Sequence, residues 1–162
     1  MTPAAVGFQC PNCVAAGQQA VRSTNSSAAV ASPDTRPLVS WTLIGICVAV
    51  YAAQFLVGVD EIAGGFGMQP VAIALGGEYY RLLTSVFLHG SLLHLLFNMY
   101  VLYVLGPTME RILGHGRFAL LFVVSGLGGA AASYALSAPT TLSVGASGAI
   151  FGVMGALAVA GR

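Results

Sequence analysis

The chain has 162 residues, of which 57% are hydrophobic and only 7% charged, and its formal net charge is +1. Ordinary soluble domains carry about 25% charged residues, so too few charges are present to cover a soluble surface, and the composition points to a membrane protein in contact with a lipid bilayer. Every basic side chain is an arginine and no basic patch with interleaved aromatics occurs, so nucleic acid is not an expected partner.

Residues 1–37 read as a tail. The opening "MTPAAVGFQCPNC" has no basic region followed by an apolar core, so no cleaved signal peptide is expected and the first apolar helix would act as an anchor. Cys10 and Cys13 have the C-x-x-C spacing of a zinc knuckle. They supply two ligands where a structural zinc needs four, a half-site at best, and no metal or other cofactor is expected. From Gly17 the tail is rich in Ser, Ala, Gln and Pro without an apolar period, the pattern of a flexible linker.

Four apolar stretches follow. Leu38 to Val59 is uncharged, and about 22 residues at 1.5 Å each cross a ~30 Å hydrocarbon core. Cys47 within it reads as a small packing residue. The next segment, about Asp60 to Ser91, is too apolar for a solvated loop and is broken by glycines and Pro70. It is expected to form short interfacial, partly re-entrant helices beside a cavity that opens outward, because irregular backbone at that depth must face protein or water. His89 at its end reads as a solvated or loop-bonding histidine.

The second span runs from Leu92 to about Thr108 and carries His94 and Asn98, four apart and therefore on one helix face. Two polar side chains at membrane depth must face a partner or water. They are either a helix–helix hydrogen bond or part of a site. The third span, Phe118 to about Ser137, contains "SGLGGAAAS". The fourth, Ser147 to Arg162, contains Gly148-x-x-x-Gly152 and then Gly155. Small residues at such spacings let backbones approach closely, so spans three and four are expected to lie buried in the bundle.

Ser147 stands between Gly145 and Gly148 at the head of the fourth span. Its helix is roughly 22 Å long, so Ser147 would lie about 8 Å below the outer edge of a ~30 Å core, reached by a dipping loop. A helix N-terminus there offers unpaired N–H groups and a favourable dipole to an oxyanion. Ser147 is thus either a nucleophile or a packing serine that caps its own helix. With the N-terminus inside, Arg22, Arg36, Arg111, Arg117 and Arg162 are inside and Arg81 alone is outside, as the positive-inside rule requires. Trp41, Tyr79 and Tyr80 then fall at the interfaces. His115, beside Arg117, falls on the opposite side from Ser147.

"RLLTSVFLHGSLLHLLFNMYVLYVLGPTMERILG" followed by "GASGAIFG" resembles the rhomboid family of intramembrane serine proteases, from about Leu38 to Arg162. The resemblance implies an all-α polytopic transmembrane bundle, with four of the family's usual six helices present, and an active site opening outward. It implies Ser147 as nucleophile and His94, Asn98 and the Ser147 N–H as the oxyanion hole. Gly106, Glu110 and Arg111 match the family's Gly-x-x-x-Glu-Arg segment, read as structural. Tyr80-Arg81 stands where the family commonly has Trp-Arg. In some actinobacterial members a similar tail follows an earlier cysteine-rich stretch, which implies a bacterial source and an internal start at Met1.

The activity implied is hydrolysis of peptide bonds in or near transmembrane segments of other membrane proteins, the expected partners, at the cell membrane. The family's general base is a histidine on a sixth helix, and no histidine of this chain matches it. A serine needs an adjacent base, so the 162-residue chain alone is expected to be inactive. The alternative is a non-catalytic rhomboid-like protein that binds client transmembrane helices.

Overall fold

The computed structural model describes residues 2–3, 8–9 and 36–160. The Cys10/Cys13 half-site, Arg22, Arg162 and nearly all of the linker lie outside them. The chain falls into two units, residues 1–32 and 33–162. In the first, β1 (Thr2–Pro3) and β2 (Phe8–Gln9) pair antiparallel, with Thr2 opposite Gln9 and Pro3 opposite Phe8. The tail's composition does not announce that ladder.

The second unit is helical: α1 (Leu38–Val57), α2 (Val59–Phe66), α3 (Pro70–Gly76), α4 (Arg81–Thr84), α5 (Leu92–Leu113), α6 (His115–Leu136) and α7 (Ser147–Ala160). Three of the described helices, α1, α5 and α6, are long and apolar enough to cross a membrane. The apolar α7 has 14 residues, about 21 Å of helix. With large apolar side chains such as Leu56, Leu93 and Phe97 exposed along them, this is a membrane protein with an all-α, polytopic bundle.

Two ends of the bundle are fixed by buried polar contacts. At one end Glu110 of α5 is fully buried and takes the place of a side-chain cap on α1, which follows Pro37. Its carboxylate accepts from the backbone N–H groups of Val39 and Ser40, both at 2.8 Å, and from Ser40 Oγ at 2.7 Å. A helix N-terminus leaves such donors unpaired, and an anion there also suits the dipole. His115, the first residue of α6, bonds the same carboxylate at 2.5 Å. At the other end Gln54 of α1 holds the backbone of His89. Arg36, Arg111 and Arg117 therefore group at one end, and Arg81 near the other.

Several boundaries differ from the sequence expectation. The first span stops at Val57 because Gly58 adopts φ 132°, a conformation that L side chains rarely take; Val59 opens α2 instead. The second span continues through Pro107 to Leu113. Burial of Met109 and Glu110 outweighs the backbone bond that Pro107 removes.

The segment between α1 and α5 does form short helices, α2 to α4, as expected. Arg81, largely buried, ties them: its guanidinium donates to the carbonyls of Gly64 at 2.7 Å and Gly67 at 2.9 Å and pairs with Glu78. That contact holds the Glu78 carboxyl below its ordinary range. Cys47 is fully buried and packs with Leu95 and Met99, the packing role read from the sequence.

The expectation that the third and fourth spans lie buried fails for both: on α7 only Ala149, Ile150 and Val153 are buried, while Phe151, Met154 and Val159 are exposed. On α6 only Phe118, Phe122 and Gly126 are buried, while Leu120 and Val124 are exposed. One face of α6 meets α1, α4, α5 and α7, and the opposite face is uncovered among the described residues. The close approach itself is present. A Cβ built on Gly129 would stand 2.8 Å from the Gly148 Cα, and one on Gly152 would fall inside the Ser125 side chain. Small residues report a close contact on one face, and a helix apolar all round carries no mark of how many faces are covered.

Candidate active site

The head of α7 is assembled by the loop before it. Met68 and Ser143 exchange backbone hydrogen bonds in an antiparallel bridge, at 3.0 and 2.8 Å, and Val71 N–H donates to Pro139 O at 2.9 Å. The α6–α7 loop is thus stitched to the segment between α1 and α5. Two residues on, Gly145 N–H donates to Ser85 O at 2.9 Å. Gly145 adopts φ 127°, and a Cβ there would stand 2.6 and 2.7 Å from Cε1 and Nε2 of His94 and 3.6 Å from Nδ2 of Asn98. Both the backbone angle and the space demand glycine.

Ala146 is fully buried, and its carbonyl accepts the Ile150 N–H at 3.0 Å. Ala146, not Ser147, therefore occupies the capping position, and Ser147 is the first residue of α7. The backbone N–H groups ahead of Ile150 are the unpaired donors of a helix start. Ser147 is exposed and its hydroxyl has no hydrogen-bond partner among the described residues. It lines a cavity of about 460 Å³ together with His94, Ser133, Ser143, Gly148 and Phe151.

The other wall comes from α5. Ser91 caps it, its hydroxyl accepting the His94 N–H at 3.2 Å. That sets the register of the helix. His94 is half-buried in the first turn at the cavity edge, and Asn98 is buried one turn further on. Asn98 Nδ2 has no hydrogen-bond partner among the described residues. His94, Asn98 and the Ser147 loop, far apart in sequence, are therefore brought together around Gly145. His94 is the one imidazole lining the cavity among the described residues.

His89 is not solvated. It is fully buried, and among the described residues neither ring nitrogen has a partner in good hydrogen-bond geometry, the Phe87 backbone acting on the ring only as the weakest influence on its proton. Its ring meets that of His94 edge to face, with centroids 5.2 Å apart and planes at 66°. Burial, with the neighbouring His94 second, pulls its pKa down from the ordinary range to about 4, so the ring is neutral at physiological pH. Its backbone is clamped by Gln54, whose Nε2 donates to His89 O at 3.1 Å while its Oε1 accepts the His89 N–H at 3.0 Å. Sequence reading missed Gln54. The signal was there, a lone amide in an otherwise apolar 20-residue span, which is costly in lipid unless partnered.

His115 stands on Glu110 at the opposite end of the bundle from Ser147. Among the described residues no three or more His, Cys, Asp or Glu side chains gather as metal ligands.

The family model for the Rhomboid domain matches residues 76–162. The chain is 44% identical over 97 residues to Rhomboid protease GluP of Bacillus subtilis, covering 60% of this chain and 19% of that protein. It is 44% identical over 91 residues to RHOMBOID-like protein 4 of Arabidopsis thaliana, 56% of this chain and 23% of that one. To Rhomboid protease GlpG of Salmonella choleraesuis it is 34% identical over 117 residues, 72% of this chain and 41% of the relative. The chain thus spans less than half the length of each of these three relatives.

Proposed function

The chain belongs to the rhomboid family, and from that premise we propose that it is the nucleophile-bearing part of an intramembrane serine endopeptidase acting on transmembrane segments of other membrane proteins. Ser147 Oγ attacks the scissile carbonyl carbon as its proton passes to a base; the tetrahedral intermediate then breaks its C–N bond, the amine leaving with that proton, and water hydrolyses the acyl-enzyme that remains. Asn98 Nδ2, the His94 ring and the Ser147 N–H donate to the oxyanion. The observation that carries this reading is the buried Asn98 amide, which has no partner among the described residues and lies beside Gly145, two residues before the serine. A buried unpaired donor costs about 1–3 kcal/mol, a cost accounted for if it serves an oxyanion that forms only during reaction.

The resemblance assigns the proton acceptor for Ser147 to a histidine on a sixth helix, and no histidine described here stands in that place. A His94 ring that donates to the oxyanion cannot at the same time take the serine proton. The unpartnered Ser147 hydroxyl therefore also favours a second reading, a rhomboid-like protein that holds client helices in the same cavity without cutting them. The grouping of Arg36, Arg111 and Arg117 at one end supports an orientation in the cell membrane with the N-terminus in the cytoplasm and the cavity toward the outer face.

The test is cleavage of a single-span model substrate in liposomes by the chain alone and by the chain joined after Arg162 to the C-terminal helices of a rhomboid protease. The joined protein should cut in a Ser147-dependent manner, and the chain alone should not. Asn98→Ala should lower kcat by about 10- to 1000-fold with the fold intact, the scale of a lost oxyanion donor. A folded joined protein that binds the substrate without cutting it would leave the client-binding reading.

A further inference from the structure

The buried His89 has no part in the proposed chemistry, yet it is the side chain that meets the His94 ring edge to face. We propose that His89 is a positioning residue, anchored to α1 by Gln54, that fixes the ring of His94 against Gly145 and so aims it at the head of α7. This deepens the proposed role of His94 and rests on it.

Three observations carry the inference. First, among the described residues the His94 ring makes no hydrogen bond, and the Ser91 hydroxyl holds only its backbone N–H. The direction of its imidazole is therefore set by packing, and the packing comes from the His89 ring and the Gly145 backbone. Second, His89 does not move with the loop it ends. Gln54 makes two hydrogen bonds to its backbone, both buried, so α1 is rigidly coupled to the imidazole beside the cavity. Third, a fully buried imidazole without a hydrogen bond is costly. A leucine would fill the space without that cost, whereas a flat ring edge offers the aromatic geometry that an apolar branched chain lacks.

The experiment uses the 162-residue chain in lipid nanodiscs with 15N-labelled histidine, read by NMR, so it needs no cleavage. In the native protein His94 should give one tautomer and a contact between its ring Hε1 and the Gly145 Hα. His89→Leu should lower the population of that arrangement by roughly two- to tenfold, the range for losing one edge-to-face aromatic pair. His89→Phe, which keeps the flat edge and lacks both nitrogens, should restore it. Gln54→Met removes the clamp and leaves both rings. It should weaken the same contact, and it decides the matter if His89→Leu does not fold. An unchanged His94–Gly145 contact in folded His89→Leu or, failing that, in Gln54→Met overturns the proposal. So does failure of His89→Phe to restore what His89→Leu loses. The cleavage assay stands apart: absence of Ser147-dependent cutting removes the enzymatic reading while the NMR result still decides whether His89 positions His94.

Discussion

Gly129→Ala should separate α6 from α7 at the level of the serine. The methyl carbon would stand 2.8 Å from the Gly148 Cα, against an optimum of about 3.5–4.0 Å between carbons. Neither atom belongs to a flexible side chain, so the two helices must part by about 1 Å, at the ~1–3 kcal/mol typical of overpacking. Gly128→Ala is the internal control: it lies one residue away on the same helix, with nothing within 4 Å of its would-be Cβ. There alanine should be neutral or gain up to ~1 kcal/mol from helix propensity. Equilibrium unfolding in mixed micelles should place the two variants roughly 1–4 kcal/mol apart. Because Gly148 follows Ser147 directly, a shift of about 1 Å should also cost a cleaving form about 100-fold in rate. Equal midpoints for Gly128→Ala and Gly129→Ala would refute the close backbone contact.

Other perturbations probe the two polar ends. Glu110→Ala strips the acceptor from two backbone N–H groups and the Ser40 hydroxyl and should cost roughly 2–4 kcal/mol of unfolding free energy; an unaltered midpoint would mean that α1 is capped otherwise. His89, at about 4 when folded against an ordinary 6.5, binds its proton more readily in the unfolded chain. Its contribution is full above pH ~6.5 and falls as pH drops towards ~4, by about 3 kcal/mol in all. His89→Phe should flatten unfolding measured across that window, and an unchanged slope would place the titration elsewhere. A reporter fused after Arg162 and expressed in a bacterial host should be active only in the cytoplasm; periplasmic activity would reverse the proposed orientation.

The spans and the candidate site were legible for different reasons. Length and apolarity alone mark α1, α5 and α6, because a bilayer demands about 20 apolar residues of any helix that crosses it. His94, Asn98 and Ser147 stand out because polar groups are rare at that depth, and the resemblance joined them before any contact was visible. What stayed hidden were properties of faces. Gln54 and His89 lie 35 residues apart, and nothing local says that one amide is matched to the backbone of the other. Likewise α6 is apolar on every side, so its pattern carried no mark of the one face, Phe118, Phe122 and Gly126, that is covered. Helix ends were blurred for a related reason. The second span was expected to end near Thr108, where apolarity gives out, but the burial of Glu110 beneath α1 carries α5 on to Leu113.

The glycine frame around Ser147 answers two separate demands. Gly145 is needed for the site: its positive φ turns the loop, and its bare Cα leaves room for the His94 ring and the Asn98 amide. Gly148 is needed for the bundle, where its Cα meets that of Gly129 across the α6–α7 contact. Between them, Ala146 is fully buried and supplies the first helical carbonyl. Ser147 is thus the one residue of the four left with its side chain free of packing or backbone duty. A serine kept only to let helices approach would face the neighbouring helix, as Ser125 does against Gly152. Ser147 instead faces the cavity, which α5 lines with His94, and that difference in placement is what favours a nucleophile over a packing residue.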